Sequence, residues 1–154
     1  MSLTIIHPAP VELIPALIEA MSSADQTELA TLAGGDPDGA IYAAVERSSY
    51  SFCCMMGESP AAIGGLIHHS DGSPSHAWMV ASTPRLEREK KSFLKISREE
   101  LGEIKRHSDA HKIITVVDQR WRKSIRWLKW LGFEDTGLEV KVGHRVATVL
   151  EIWP

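Results

Sequence analysis

The sequence predicts a mixed α/β domain with a largely antiparallel sheet, in the order β-α-α-β-β-β-α-β-α-β-β. Three observations carry this reading. A short β-branched run is followed by helical spacing, three extended runs in the middle are separated by turn residues, and a strongly apolar strand precedes an amphipathic helix and a closing hairpin. A chain of 154 residues is the size of one hydrophobic core, so a single domain over residues 1–154 is expected.

Residues 3–6 are β-branched and apolar and end at His7-Pro8-Ala9-Pro10, which reads as the first strand. Val11, Ile14, Leu17, Ile18 and Met21 then recur at helical spacing, with Pro15 confined to the first turns. Residues 25–32 read as a second short helix ending in the glycine-rich turn at 34–39, and residues 40–47 resume helical character. Residues 50–56 and 61–69 flank Gly57-Glu58-Ser59-Pro60 as a hairpin, and residues 76–81 form the next strand after another turn. Thr83-Pro84 is a helix start, with threonine as cap and proline at the first helical position. Ser97 with Glu100 fits a second capping box, so residues 84–107 read as one helix or two. Residues 112–117 are the most apolar strand, and residues 121–131 an amphipathic helix that stops at Gly132. Residues 138–142 and 146–153 close the chain as a hairpin across Gly143-His144.

Composition narrows the function. Seventeen basic against twenty acidic side chains leave a formal charge of −3, which argues against a protein that coats nucleic acid. No apolar run approaches the length of about 20 residues that spans a bilayer, and the N-terminus lacks the pattern of a secretion signal, so a cytoplasmic protein is expected. Cys53 and Cys54 are adjacent and would point to opposite faces of a strand, a poor arrangement for one metal ion, so no metal is expected. Of five tryptophans, Trp121, Trp127 and Trp130 fall within ten positions. Trp121, Ile125, Leu128 and Gly132 share one helical stripe, with Ser124, Trp127 and Leu131 beside it, which marks a face turned to the core. Arg122, Arg126 and Lys129 share another face, read either as solvated surface or as a small patch for nucleic acid.

This order, with Ile113-Ile-Thr-Val-Val-Asp118 followed by a helix ending Trp130-Leu-Gly-Phe133, resembles the GNAT superfamily of N-acetyltransferases. Over roughly residues 21–133 the chain is also similar to GNAT-like tailed-phage proteins labelled internal virion or morphogenesis proteins. The similarity runs through Asp25-Gln-Thr-Glu28, the Gly-Glu-Ser-Pro-Ala-Ala-Ile-Gly-Gly hairpin at 57–65, Ala77-Trp-Met-Val-Ala-Ser-Thr83, Phe93-Leu-Lys-Ile-Ser-Arg98 and Ile125-Arg-Trp-Leu-Lys-Trp-Leu-Gly-Phe133. The resemblance implies a GNAT-like fold, acetyl-CoA as cofactor and an amine as acceptor, whether small molecule or protein. It equally implies a non-catalytic GNAT-like phage protein that acts in virion assembly or binds a phage or host protein, in the cytoplasm of an infected bacterium. Three parts of the superfamily pattern differ here. No glycine lies between Gly72 and Gly102, where the phosphate-binding loop is expected; Trp121 stands at the helix-opening asparagine; and Leu128 stands where many members carry a tyrosine.

The resemblance places the cofactor against Met79, Val80 and Ala81, where a backbone N–H at the end of the fourth strand holds the acyl carbonyl. A phosphate cradle is expected at Ser82 and Thr83, whose helix start offers free N–H groups, with Arg85 and Arg88 adding charge. Acyl transfer to an amine also needs a proton acceptor. The candidates are His68, His69 and His76, on or beside the central strands, and Asp118, just beyond the apolar strand. Each of these histidines reads alternatively as structural, and Asp118 as a cap for the next helix.

Overall fold

The structure, a computed structural model, describes residues 2–109 and 111–154, with the side chains of Thr31 and Leu32 left aside. Strand β1 (Leu3–Ile6) is followed by a single 3-10 turn (Val11–Leu13) that runs into α1 (Ile14–Ala20). Pro15 sits in the first turn of α1, where its missing N–H leaves no helical bond unmade. Helix α2 (Ser23–Ala33) opens with a complete capping box between Ser22 and Asp25, and α3 (Pro37–Arg47) opens with Asp36 accepting from the Gly39 N–H. Three helices therefore stand between β1 and β2 (Tyr50–Met56), one more than the expected order allowed. α3 is the helical stretch expected over residues 40–47, which that order leaves uncounted, and it begins three residues earlier, at Pro37, inside the stretch that reads as a turn.

Strands β3 (Ser59–Ile67) and β4 (Ser75–Ala81) complete the antiparallel half. The segment after β4 is two helices, α4 (Thr83–Arg88) and α5 (Lys90–His107). The break falls at Glu89 and not at Ser97, whose hydroxyl donates to Phe93 O at 2.6 Å inside α5. Strand β5 (Ile113–Asp118), helix α6 (Arg122–Leu131), β6 (Glu134–Val142) and β7 (Arg145–Ile152) follow. Strand β6 begins four residues earlier than its sequence suggests, because the stretch Asp135-Thr136-Gly137 forms a bulge instead of a loop. Gly132 ends α6 in the left-handed conformation, φ 111°, which a side chain rarely adopts.

The seven strands form one sheet in the order β1-β2-β3-β4-β5-β7-β6, antiparallel except for the central β4–β5 pair. Side chains alternate between the two faces. On one face Ile14, Leu17, Leu29 and Ile41 of α1–α3 pack on Cys53, Ile63, Trp78 and Val80. On the other, Leu101, Ile104 and Leu128 of α5 and α6 pack on Phe52, Ile113, Val117 and Leu150. The tryptophan-rich stripe of α6 does face this core, with Trp130 left half-exposed beneath the Arg98 guanidinium, 4.0 Å from its ring centroid. Cys53 and Cys54 are both buried on opposite faces of β2, and burial pushes their thiols up to about 11 and 12. Among the described residues no helix is long and apolar enough to cross a membrane.

Gly64, at the centre of β3, lets β2 and β4 close around it. A Cβ there would lie 2.6 Å from Trp78 O and 2.7 Å from the Phe52 ring. Gly64→Ala should therefore destabilise the fold by about 1–3 kcal/mol, read as a lower denaturation midpoint with an unchanged denaturant slope.

Candidate active site

The central feature is a fork in the sheet. β4 and β5 pair only at Ser75 with Ile113 and His76 with Ile114. Beyond these, β5 stays paired with β7 as far as Asp118, and β4 stays paired with β3 as far as Ala81, so the two strands part. A cavity of about 610 Å³ fills the gap and opens to both faces of the sheet. Backbone groups along its β4 wall have no strand partner. The Ser82 N–H donates to Ala61 O and the Ser75 N–H donates across to Lys112 O. Hydrogen-bonding direction alternates along an antiparallel strand, so the N–H groups of Met79 and Ala81 point away from β3 and into the fork.

Three carboxylates gather at the open end. Asp25, on α2, is buried and accepts from the Thr83 N–H at 3.0 Å and the Thr83 hydroxyl at 3.1 Å, while also closing its own capping box. Asp118 ends β5, only 4% exposed, and its oxygens are taken by Arg145 Nη1 at 2.8 Å and by the Arg120 N–H at 2.9 Å. Glu28 lies one helical turn beyond Asp25, on the cavity wall. Among the described residues it makes no hydrogen bond. Burial first, then the Asp118 and Asp25 carboxylates, raise it from the usual 4.5 to about 7, against the opposing pull of Arg120. A carboxyl group poised near neutrality in a cleft is suited to exchange a proton at working pH.

The residues expected from sequence divide sharply. Met79, Val80, Ala81 and Thr83 line the cavity. His76 also lines it, at the closed end of the fork; burial, then His69 and Arg47, push its imidazole below the usual value, towards the neutral form. His68 and His69 lie past the end of β3, at the closed end and off the cavity wall, where His68 meets the Ser75 hydroxyl at 3.1 Å and the edge of His111. Asp118 reaches the mouth but is held in place by Arg145 and Arg120.

The expected phosphate cradle is otherwise engaged. Ser82 is fully buried and its hydroxyl donates to Ala20 O at 2.7 Å. The start of α4 faces Asp25, so a carboxylate of the chain itself occupies the place meant for an anion. Arg85 turns outward to donate to Pro60 O beside Glu19 and Glu58, and Arg88 is exposed and off the cavity wall. Arg122, Arg126 and Lys129 lie exposed along α6.

On the α5–α6 face the cavity is bounded by Phe93, Ser97, Trp121, Ser124, Trp127 and Leu128. Phe93 stacks on Trp127 at 5.2 Å, and Lys123 reaches Glu87 of α4 at 3.3 Å. The Trp121 indole Nε1 is buried with no acceptor among the described residues. An orphan donor on a cavity wall matches a ligand that brings an oxygen acceptor. With the Met79 and Ala81 N–H groups, it gives the cavity wall three donors for the oxygen atoms of a ligand.

No family model and no curated protein sequence matches the chain. Solved structures do. AAC(6')-Ib, in complex with ribostamycin and coenzyme A, superposes with a TM-score of 0.72 at 14% identity, over 99% of this chain and 94% of that one. A GNAT-family acetyltransferase from Bacillus anthracis gives 0.70 at 12% identity, over 99% and 95%. The chain has the GNAT fold. A spermidine N-acetyltransferase chimera from Vibrio cholerae and a human enzyme is a further GNAT neighbour, with a TM-score of 0.69 at 12% identity, over 99% and 96%.

Glu28 and Asp25 are cavity-lining residues that sequence reasoning on this GNAT-fold chain did not put forward as site candidates. The signal available was the capping box Ser22-x-x-Asp25 with a second acid one turn on, which reads as ordinary helix-start chemistry. A carboxyl raised in the folded state keeps a proton that the unfolded chain has already released. Stability therefore falls as pH climbs from about 4.5 to about 7 and stays lowered above that window. Glu28→Gln removes the charge, so it should raise the melting temperature at pH 8 and leave it nearly unchanged at pH 4.

Proposed function

We propose that this protein transfers an acetyl group from acetyl-CoA to an amine. The observation that carries the proposal is the pairing of two strand N–H donors, Met79 and Ala81, with one raised carboxyl group, Glu28, across a single cavity in a GNAT fold. When bound, acetyl-CoA supplies an acetyl thioester. The Met79 and Ala81 N–H groups hold its carbonyl oxygen and stabilise the negative charge that builds there as the amine nitrogen attacks. Glu28 takes the proton from the incoming ammonium, which frees the nitrogen lone pair for the new C–N bond. The C–S bond breaks as that bond forms. The nitrogen's second proton leaves to solvent as the amide forms, and the departing sulfur, to which Leu128 offers none, takes a proton from solvent. His76, held towards its neutral form at the closed end of the fork, shapes the cavity floor.

Support for the cofactor comes from the orphan Trp121 Nε1 and from the coenzyme A named with one structural neighbour. Neighbours named for spermidine and found with an aminoglycoside support an amine acceptor. Thiol release from acetyl-CoA in the presence of amines should rise with pH through a midpoint near 7. Glu28→Gln should lower kcat by a factor of about 10² to 10⁴ and abolish that limb, with acetyl-CoA affinity retained. Absence of both turnover and binding at millimolar acetyl-CoA would exclude the proposal.

Two observations favour a second reading. The start of α4 is plugged by Asp25, and Leu128 stands at the tyrosine position, as suits a GNAT scaffold that has left cofactor chemistry for virion assembly or for binding a phage or host protein in the infected bacterial cytoplasm. That reading expects no affinity for acetyl-CoA, so the same titration separates the two.

A further inference from the structure

The α1–α3 side of the fork carries a feature that acetyl transfer alone does not explain. Beyond Glu28, the wall is formed by Ala33, Ala40, Ile41 and Ala44 of α2 and α3 and by Val140 and Val142 of β6. Val140 pairs with Ala147, which places it on the same face as Asp118, and it is 41% exposed. It is one of few large apolar side chains left open, and it is turned towards a cavity instead of a core. Three alanines where larger side chains would close the gap keep the space free.

The charges on this wall are few. Asp25 is consumed by Thr83 and Asp118 by Arg145 and Arg120, so Glu28 is the lining carboxylate without a hydrogen-bond partner among the described residues. An acceptor with several ammonium groups would need an anionic partner for each as it lost water. A wall of alanine and valine offers none. It offers instead burial worth roughly 25 cal/mol per Å² of apolar surface.

We infer that the acceptor is a primary amine on an apolar body, aromatic or aliphatic, and neither a linear polyamine nor an aminosugar. The inference rests on the acetyl-transfer reading. Glu28 receives the one amino group, and Ala33, Ala40, Ala44, Val140 and Val142 cover the hydrocarbon.

Binding and turnover test it separately. Calorimetry with the coenzyme A complex should give phenethylamine and hexylamine at least about tenfold tighter binding than spermidine or ribostamycin, the scale of a small difference in apolar contact. Val140→Asp, on an exposed edge strand that tolerates charge, should weaken phenethylamine by a similar factor and leave coenzyme A affinity unchanged. Tighter binding of spermidine or ribostamycin, equal binding of all four, no binding of phenethylamine, or an unaltered Val140→Asp variant would each overturn the inference. Thiol release from acetyl-CoA with the same amines judges the acetyl-transfer reading by itself. Phenethylamine that binds by preference without being acetylated would uphold the pocket's selectivity and refute the reaction.

Discussion

The parting of β4 from β5 is the constraint on which the rest of the molecule depends. A parallel pair has no hairpin to hold it together, and here each strand keeps its antiparallel neighbour while their shared ladder stops after two residues. Ending a ladder inside a sheet leaves strand N–H and C=O groups without partners, a cost that most sheets avoid. The same unpaired groups become donors aimed into a cavity, so the defect in the sheet and the candidate active site are one feature.

Around that fork the chain arranges charge with economy. Asp25 ties α2 to the end of β4, and Arg145 and Arg120 hold Asp118 at the end of β5. Both carboxylates are thus fixed, and between them Glu28 is the group whose proton is easily exchanged near neutrality. The tie has a second effect. By capping the start of α4, Asp25 takes over the anion-binding role that the absence of a glycine-rich loop had already weakened. This is the sense in which the protein departs from the superfamily its sequence resembles.

Much of the frame was legible in the sequence. The stripe of Trp121, Ile125, Leu128 and Gly132, the stop at Gly132-Phe133, the helix start at Thr83-Pro84 (although its cap is Ser82 and not Thr83) and the apolar run of β5 all rest on close neighbours along the chain. Reading failed where a neighbour far along the chain decides the outcome. Residues 135–137 look like a loop but bulge inside β6, because β7 supplies the pairing. Arg85 looked like a phosphate ligand, yet α4 lasts only six residues and turns that guanidinium to the Pro60 carbonyl. Three histidines near the central strands looked alike, and the closed end of the fork separated His76, on the cavity wall, from His68 and His69.

Sequence by itself determined most of the strands and helices and their buried faces, because periodicity and capping act between close neighbours. Tertiary structure alone decided which side chains meet at the candidate site. Glu28 reads as an ordinary helix-surface acid until the fold sets it, half-buried, on the cavity wall near Asp118, far along the chain. Desolvation and Coulombic coupling follow distance in space, and no local pattern of residues records that distance.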